Sequence, residues 1–292
     1  MNRELKIVVL AKQVPDTRNV GKDAMTPEGT VNRAALPAIF NPEDLNALEA
    51  ALQLKDMASG STVHVLTMGP LRAADIIRDA MFRGADGGYL LSGREFAGSD
   101  TLATSYALSC ALKQIKPDII VAGRQAIDGD TAQVGPQVAE KLSLPQVTYV
   151  EQILELKDDT IVIKRRLDNG VEVVESPIPM VMTVNASHEE CRPKNARRVM
   201  KYKHAMTSSE LAAAADGISK ELASERDYLK IVELSAQDIN PDMNQLGLTG
   251  SPTKVKKIEN VVFQSKESKR LTGSDSEIEG LMVELIASHT LG

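Results

Sequence analysis

Short apolar runs alternate with segments of helical periodicity over the first two-thirds of the chain. Residues 6–11 (KIVVLA), 62–69 (TVHVLTMG), 87–92 (GGYLLS) and 118–123 (DIIVAG) are strand-length and bounded by turn residues, which predicts buried strands. Between them, residues 42–58, 72–84 and 100–115 repeat apolar positions at helical spacing. In the first of these, Leu45, Leu48, Ala51 and Leu52 make one stripe, and Asn41 with Pro42 supplies a cap and a first-turn signal. Strands alternating with crossover helices predict an α/β fold with a doubly wound, mostly parallel, Rossmann-like sheet and helices on both faces. In such sheets ligands bind beyond the carboxyl ends of the strands, where the strand order switches. Leu10 with Ala11, Met68 with Gly69, and the chain from Gly123 onward each follow a strand and are expected at that edge.

Residues 146–184 change character. Three β-rich runs, separated by Asp158-Asp159 and Asn169-Gly170, predict an added hairpin or meander, with 178–184 rejoining the core of the sheet. The pattern breaks down from about residue 188. A short helix at 208–224 and polar loops follow, and residues 277–289 close the chain as a helix with Ile278, Leu281, Met282 and Leu285 on one face. This tail is too apolar at its end for disorder and too thin for a core of its own. It is expected to pack on a partner subunit. The expected division is therefore an α/β domain over 1–205 and a C-terminal arm over 206–292.

With 292 residues, 42% hydrophobic and 25% charged, the chain has a soluble globular composition. A net charge of −6, 3% aromatics and no tryptophan argue against a nucleic-acid binder. Cys110 and Cys191 lie far apart with no signal peptide, which predicts free thiols and a cytoplasmic setting. The longest apolar runs are strand-length, so no membrane insertion is expected.

The stretch 123–136, GRQAIDGDTAQVGP, is the strongest candidate site. It has neither a P-loop ending nor G-x-G-x-x-G. Gly123 ends a strand, and Gly129 permits positive φ or close backbone approach. Asp130-Thr131 is expected to cap the next helix, whose apolar face holds Val134, Val138, Ala139 and Leu142. A helix N-terminus with free N–H groups is an anion site, and Arg124 adds a cation. The plain alternative is an ordinary strand–loop–helix connection with nothing bound.

Other residues carry little chemistry. His64, His188, His204 and His289 are scattered, neither cysteine has a C-x-x-C partner, and no G-x-S-x-G elbow occurs. No catalytic residue and no metal ligand is nominated. Asp128 and Asp130, two residues apart, are expected to turn the chain. The run 192–204, RPKNARRVMKYKH, carries six Lys or Arg and no acid. It is either solvated surface or a docking element for an acidic partner, and the apolar Val199 and Met200 within it favour docking.

Four motifs together carry a resemblance: KIVVLAKQVPD at the start, NPEDLNALEAALQLKD at 41–56, VLTMGP at 65–70, and GRQAIDGDTAQVGP, with GSPTKV at 250–255 as a further match. The chain resembles the beta subunit of electron-transfer flavoproteins. The resemblance implies an adenine-nucleotide-binding α/β domain in a heterodimer whose alpha subunit carries a redox-active FAD. In respiratory members the beta pocket holds structural AMP. In electron-bifurcating members it holds a second FAD that takes hydride from NADH. One electron then goes to ferredoxin or flavodoxin, and the other goes through the alpha flavin to an acyl-CoA or other flavin dehydrogenase. The family's nucleotide contacts fall on Leu10, Asn41, Pro42, Glu43, Asp44 and Met68, then on Gly123, Arg124, Gln125, Ala126, Ile127, Asp128, Gly129, Asp130, Thr131, Ala132, Gln133 and Val134. The backbone N–H groups of Asp130 to Ala132 and the Thr131 hydroxyl are expected to meet phosphate. DGDTAQVGP is similar to the bifurcating branch, with Gly129 and Ala132 making room for the larger FAD. The basic run matches the family's recognition loop, giving Arg192, Lys194, Ala196, Arg197, Arg198, Val199, Met200, Lys201 and Lys203 as the partner-docking residues; Ala196 stands where the family has a Leu or Ile anchor. Two rival functions are a conventional member holding AMP and a stand-alone nucleotide-binding module of the universal-stress type.

Overall fold

The computed structural model describes residues 3–16, 37–214, 217–253, 268, 270–288 and 290. His289 and the last two residues of the motif at 250–255 lie outside them. Two compact units result, Met1–Lys256 and Lys257–Gly292.

In the first unit the strands and helices alternate as the apolar pattern dictates. β1 (Lys6–Leu10) leads through a small antiparallel pair, β2 (Gln13–Pro15) and β3 (Ala38–Phe40), into α1 (Pro42–Met57). β4 (Thr62–Met68), α2 (Ala74–Arg83), β5 (Gly87–Leu91), α3 (Thr101–Ile115), β6 (Ile119–Gly123) and α4 (Val134–Leu142) follow. β7 (Gln146–Leu156), β8 (Thr160–Leu167) and β9 (Gly170–Pro177) form the meander, and β10 (Met180–Val184) returns to the sheet. After α5 (Ala196–Tyr202), α6 (Ser208–Ala213) and α7 (Gly217–Glu225), β11 (Val232–Leu234) and α8 (Ala236–Ile239) complete the body. The second unit holds α9 (Asp275–Ala287), whose Ile278, Met282, Val283 and Ile286 are exposed.

One nine-stranded sheet runs β11-β5-β4-β1-β6-β10-β7-β8-β9. Every pairing from β11 to β7 is parallel, and only the meander pairs antiparallel. Alternate residues of β1 enter opposite cores. Ile7 and Val9 pack with α1 and α2, while Val8 and Leu10 pack with α3 and α4. Burial on both faces is why these strands read as unbroken apolar runs. β10 sits between β6 and β7, as the sequence pattern for 178–184 anticipates. The stretch after residue 205 contributes β11 to the opposite edge, paired with β5, and so extends the first unit past that point.

The order reverses at the centre. The chain builds outward from β1 through β4 to β5, then crosses to place β6 on the other side of β1. The carboxyl ends of β1 and β6 therefore flank the switch point of this sheet. Among the described residues no helix is long and apolar enough to cross a membrane.

Candidate functional site

A cavity of about 810 Å³ opens at that switch point, bounded by the ends of β1, β4, β5 and β6. It lies near the top of the range of roughly 300–1,000 Å³ typical of small-molecule sites. The strand ends contribute Leu10, Met68 and Gly123, and α1 contributes Asp44. Gly123 is fixed by close approach: a Cβ there would lie 2.4 Å from Asp44 Oδ1 and 2.7 Å from the Glu43 carbonyl carbon. Asp44 is only 6% exposed. The Lys12 N–H donates to its Oδ2 at 2.8 Å, and the Asn41 side chain and the Gly123 backbone also favour its charged form. Burial still dominates and pushes its carboxyl up to about 7.

The loop after β6 forms one wall and is braced from behind. Asn41 is fully buried; its Nδ2 donates to the Gln125 carbonyl at 2.9 Å and its Oδ1 accepts from Ile127 N–H at 3.1 Å. It occupies the N-cap position of α1, with Pro42 in the first turn, but its side chain holds the loop and makes no cap bond. Glu43 grips the Arg124 guanidinium at 2.9 and 3.2 Å and accepts from Gln125 N–H. Those hydrogen bonds raise the Arg124 pKa, so the cation is fixed in charge and place. Asp128 binds Lys12 Nζ at 2.8 Å, and Gln125 Nε2 donates to Asp130 at 2.9 Å.

The start of α4 differs from the expectation. Asp130 and Thr131 do not cap it; the helix begins at Val134 behind Gln133, which makes no side-chain cap bond. Gly129 has no positive φ and its missing Cβ would meet nothing. The left-handed residues are Asp130 (φ 47) and Ala132 (φ 51), where the chain carries a Cβ. Left-handed Ala132 followed by right-handed Gln133 turns successive N–H groups to one side, the geometry of an anion-binding nest. Intrahelical pairing in α4 starts with Gln137 N–H to Gln133 O, so the N–H groups of Val134 and Gly135 precede it. The cavity wall thus offers backbone donors, a helix N-terminus and two clamped cations to an anion.

Of the residues singled out from the sequence, Leu10, Asp44, Met68, Gly123, Arg124, Gln125, Ala126, Gly129, Asp130, Thr131, Ala132, Gln133 and Val134 line this one cavity. Asn41, Glu43, Ile127 and Asp128 stand in the supporting layer. The opposite wall was not foreseen. Residues 92–101 line it, with Asp100 capping α3 through Leu102 and Ala103 N–H at 3.0 Å. The guanidinium of Arg94 in that wall makes no hydrogen bond or ion pair with the described residues. Its signal was the same topological one: Ser92 ends the predicted strand 87–92 as Gly123 ends its own.

The basic run resolves into two halves. Arg192 binds Glu49 through several bonds, at 2.8 Å for the shortest, and Asp56 at 2.9 Å. Lys194 pairs with Asp79, and Arg198 donates to the carbonyls of Met81 and Ala85. These three pair within the chain and join residues 192–198 to α1 and to the end of α2. Ala196, Arg197, Met200 (64% exposed), Lys201 and Lys203 point outward, and Val199 is half-buried. His64 and His188 are packed in the body, and Cys110 and Cys191 are unpaired.

A family model, the electron transfer flavoprotein domain, matches residues 28–210. The chain belongs to the electron-transfer flavoprotein family. Its similarity is to the beta-type subunits. An electron transfer flavoprotein subunit beta of Thermoanaerobacterium thermosaccharolyticum is 43% identical over 86% of each chain. Subunit CarD of the caffeyl-CoA reductase-Etf complex of Acetobacterium woodii is 49% identical over 61% of this chain and 68% of its own. The acryloyl-CoA reductase electron transfer subunit gamma of Anaerotignum propionicum is 40% identical over 98% of this chain and all of its own.

Proposed function

We propose that this chain is the beta subunit of a heterodimeric electron-transfer flavoprotein, and that its cavity binds FAD that accepts hydride from NADH. The observation that carries the reading is the cavity of about 810 Å³ at the β1/β6 switch point, walled by the loop that carries the family motif. The nest at Ala132–Gln133, the α4 N-terminus and Arg124 suit a pyrophosphate. The open space at Gly129 and the cavity's extension to residues 92–101 leave room beyond an adenosine.

Bound there, FAD would supply two-electron acceptance and one-electron release, with ferredoxin or flavodoxin and the alpha-subunit FAD as separate outlets. The protein's own contribution is placement. Gly123 brings the β6 backbone against Asp44, Asn41 and Glu43 fix the loop, and the ion pair Lys12–Asp128 closes its outer edge. None of these groups is assigned a proton-transfer role, because hydride transfer needs chiefly the alignment of two rings. The similarity to subunits of caffeyl-CoA and acryloyl-CoA reductase complexes supports an acyl-CoA oxidoreductase as the partner fed by the alpha flavin. The outward half of α5 is assigned to that docking. With the family shown, the stand-alone stress-protein reading lapses.

Anaerobic titration of the purified heterodimer with NADH tests the reading. Bleaching of a flavin population by stoichiometric NADH is the expected result. A heterodimer whose flavin stays oxidised under excess NADH contradicts it and leaves a structural nucleotide in the cavity.

A further inference from the structure

Six non-glycine residues among those described have a left-handed backbone. Lys116, Ser143 and Asn240 end helices α3, α4 and α8, the ordinary place for that conformation. The other three are Asp130, Ala132 and Tyr149. The first two shape the cavity loop. Tyr149 (φ 57) lies inside strand β7, where a left-handed bulky residue is a genuine outlier. Such conformations persist where surrounding contacts over-determine them, and they cluster at functional sites.

The strain comes from a β-bulge. Val147 pairs with Met182 and Val150 with Val184, so Thr148 and Tyr149 together oppose Thr183. Three residues apart, Val147 and Val150 would face opposite sides of a regular strand, yet both enter the same core. Tyr149 is turned out instead and is 39% exposed. A glycine would serve this bulge without strain, so core packing explains the bulge but not the tyrosine.

The register brings the bulge beside the end of β6. Val150, Val184 and Gly123 lie in one row across three strands, and the next residue, Arg124, hydrogen-bonds its N–H to the Val184 carbonyl. At that corner the Tyr149 phenol interacts with the Arg124 guanidinium, which Glu43 holds by an ion pair at 2.9 Å. The bulge also reaches α4. The Tyr149 N–H faces Thr183 Oγ1 at 3.4 Å, and the Thr183 methyl presses on Gly135 so closely that a Cβ there would lie 2.6 Å away.

Resting on the reading of the cavity as a nucleotide site, we propose that Tyr149 is a positioning residue. Its bulged, strained backbone aims the phenol at Arg124 and so fixes the guanidinium that faces the bound anion. The side chain costs the fold stability and contributes order to the site.

Tyr149→Gly and Tyr149→Phe variants of the full heterodimer test this. Release of the copurified nucleotide on dilution is followed by chromatography, with FAD and AMP both scored. Exchange of the Arg124 Nε–H is followed by NMR on arginine-labelled complex. The glycine variant is expected to unfold about 2–4 °C higher, because strain is relieved. It should also release nucleotide roughly tenfold faster and exchange the Arg124 Nε–H faster. The phenylalanine variant should keep the wild-type midpoint and show the same two losses. Unchanged release and exchange in both variants would overturn the proposal, as would a lowered midpoint in the glycine variant, which would make the ring structural. If wild-type complex yields neither FAD nor AMP, the cavity reading fails, and the Arg124 exchange alone then decides the role of Tyr149.

Discussion

Residues 123–133 and 192–203 are both polar stretches that come after a central strand, β6 and β10 respectively, and the fold treats their charges differently. In the first, each long polar side chain is held by a neighbour, yet the stretch still lines a cavity: Arg124 on Glu43, Gln125 on Asp130, Asp128 on Lys12. In the second, Arg192, Lys194 and Arg198 are spent on α1 and α2, while Arg197, Met200 and Lys203 face solvent. Charge content alone therefore ranks neither stretch. What separates them is whether pairing leaves backbone donors pointing at empty space, as at Ala132–Gln133, or consumes the side chains against packed helices.

On the cavity side the largest effect is expected from Gly123→Ala. The new methyl would overlap Asp44 Oδ1 and the Glu43 backbone, which cannot both retreat. A loss of about 2–3 kcal/mol in urea melts is expected, together with loss of copurified nucleotide. On the basic side, Arg192→Ala leaves Glu49, whose side chain is 8% exposed, without its cation. Because Arg192 is itself one-third exposed, screening reduces the penalty to about 2 kcal/mol. A cost below about 0.5 kcal/mol would show that the run is not riveted to α1.

Asp44 gives a smaller, pH-dependent effect. Its carboxyl rises from an ordinary 3.8 to about 7 on burial. Between those values the folded chain binds a proton that the unfolded chain has lost. Stability from this group is therefore full below about pH 4 and is lost as pH climbs to about 7. Asp44→Ala removes the dependence, so its cost relative to wild type should be larger at pH 5 than at pH 8 in paired urea melts. The smallest effect is expected from Arg197→Ala, which has no partner among the described residues. Stability should shift by less than about 0.5 kcal/mol, while affinity for the partner dehydrogenase falls, read by surface plasmon resonance.

The central strands were legible because each is buried on both faces and leaves an unbroken apolar run. β10 was legible for the same reason. β2, β3 and β11 were not, since three residues carry no period. The helix expected from residue 72 begins as a short 3-10 turn at Leu71–Ala73 and becomes α-helical only at Ala74. In the site, Gly123 could be read from its place at a strand end. The left-handed turns at Asp130 and Ala132 could not, because the glycine beside them suggested a different hinge. The wall at 92–101 was missed although its position after a strand was visible, and Tyr149 was hidden because its conformation follows from pairing with β10, where its neighbour Thr183 is 34 residues away in sequence.

The proposed function stands or falls with a reactive flavin in the motif loop. Denaturing the copurified heterodimer and counting the released nucleotides decides whether it is there. Two FAD and no AMP per heterodimer is the predicted result. One FAD with one AMP would mean that the same loop grips a structural nucleotide, and the proposed hydride-accepting role would be wrong.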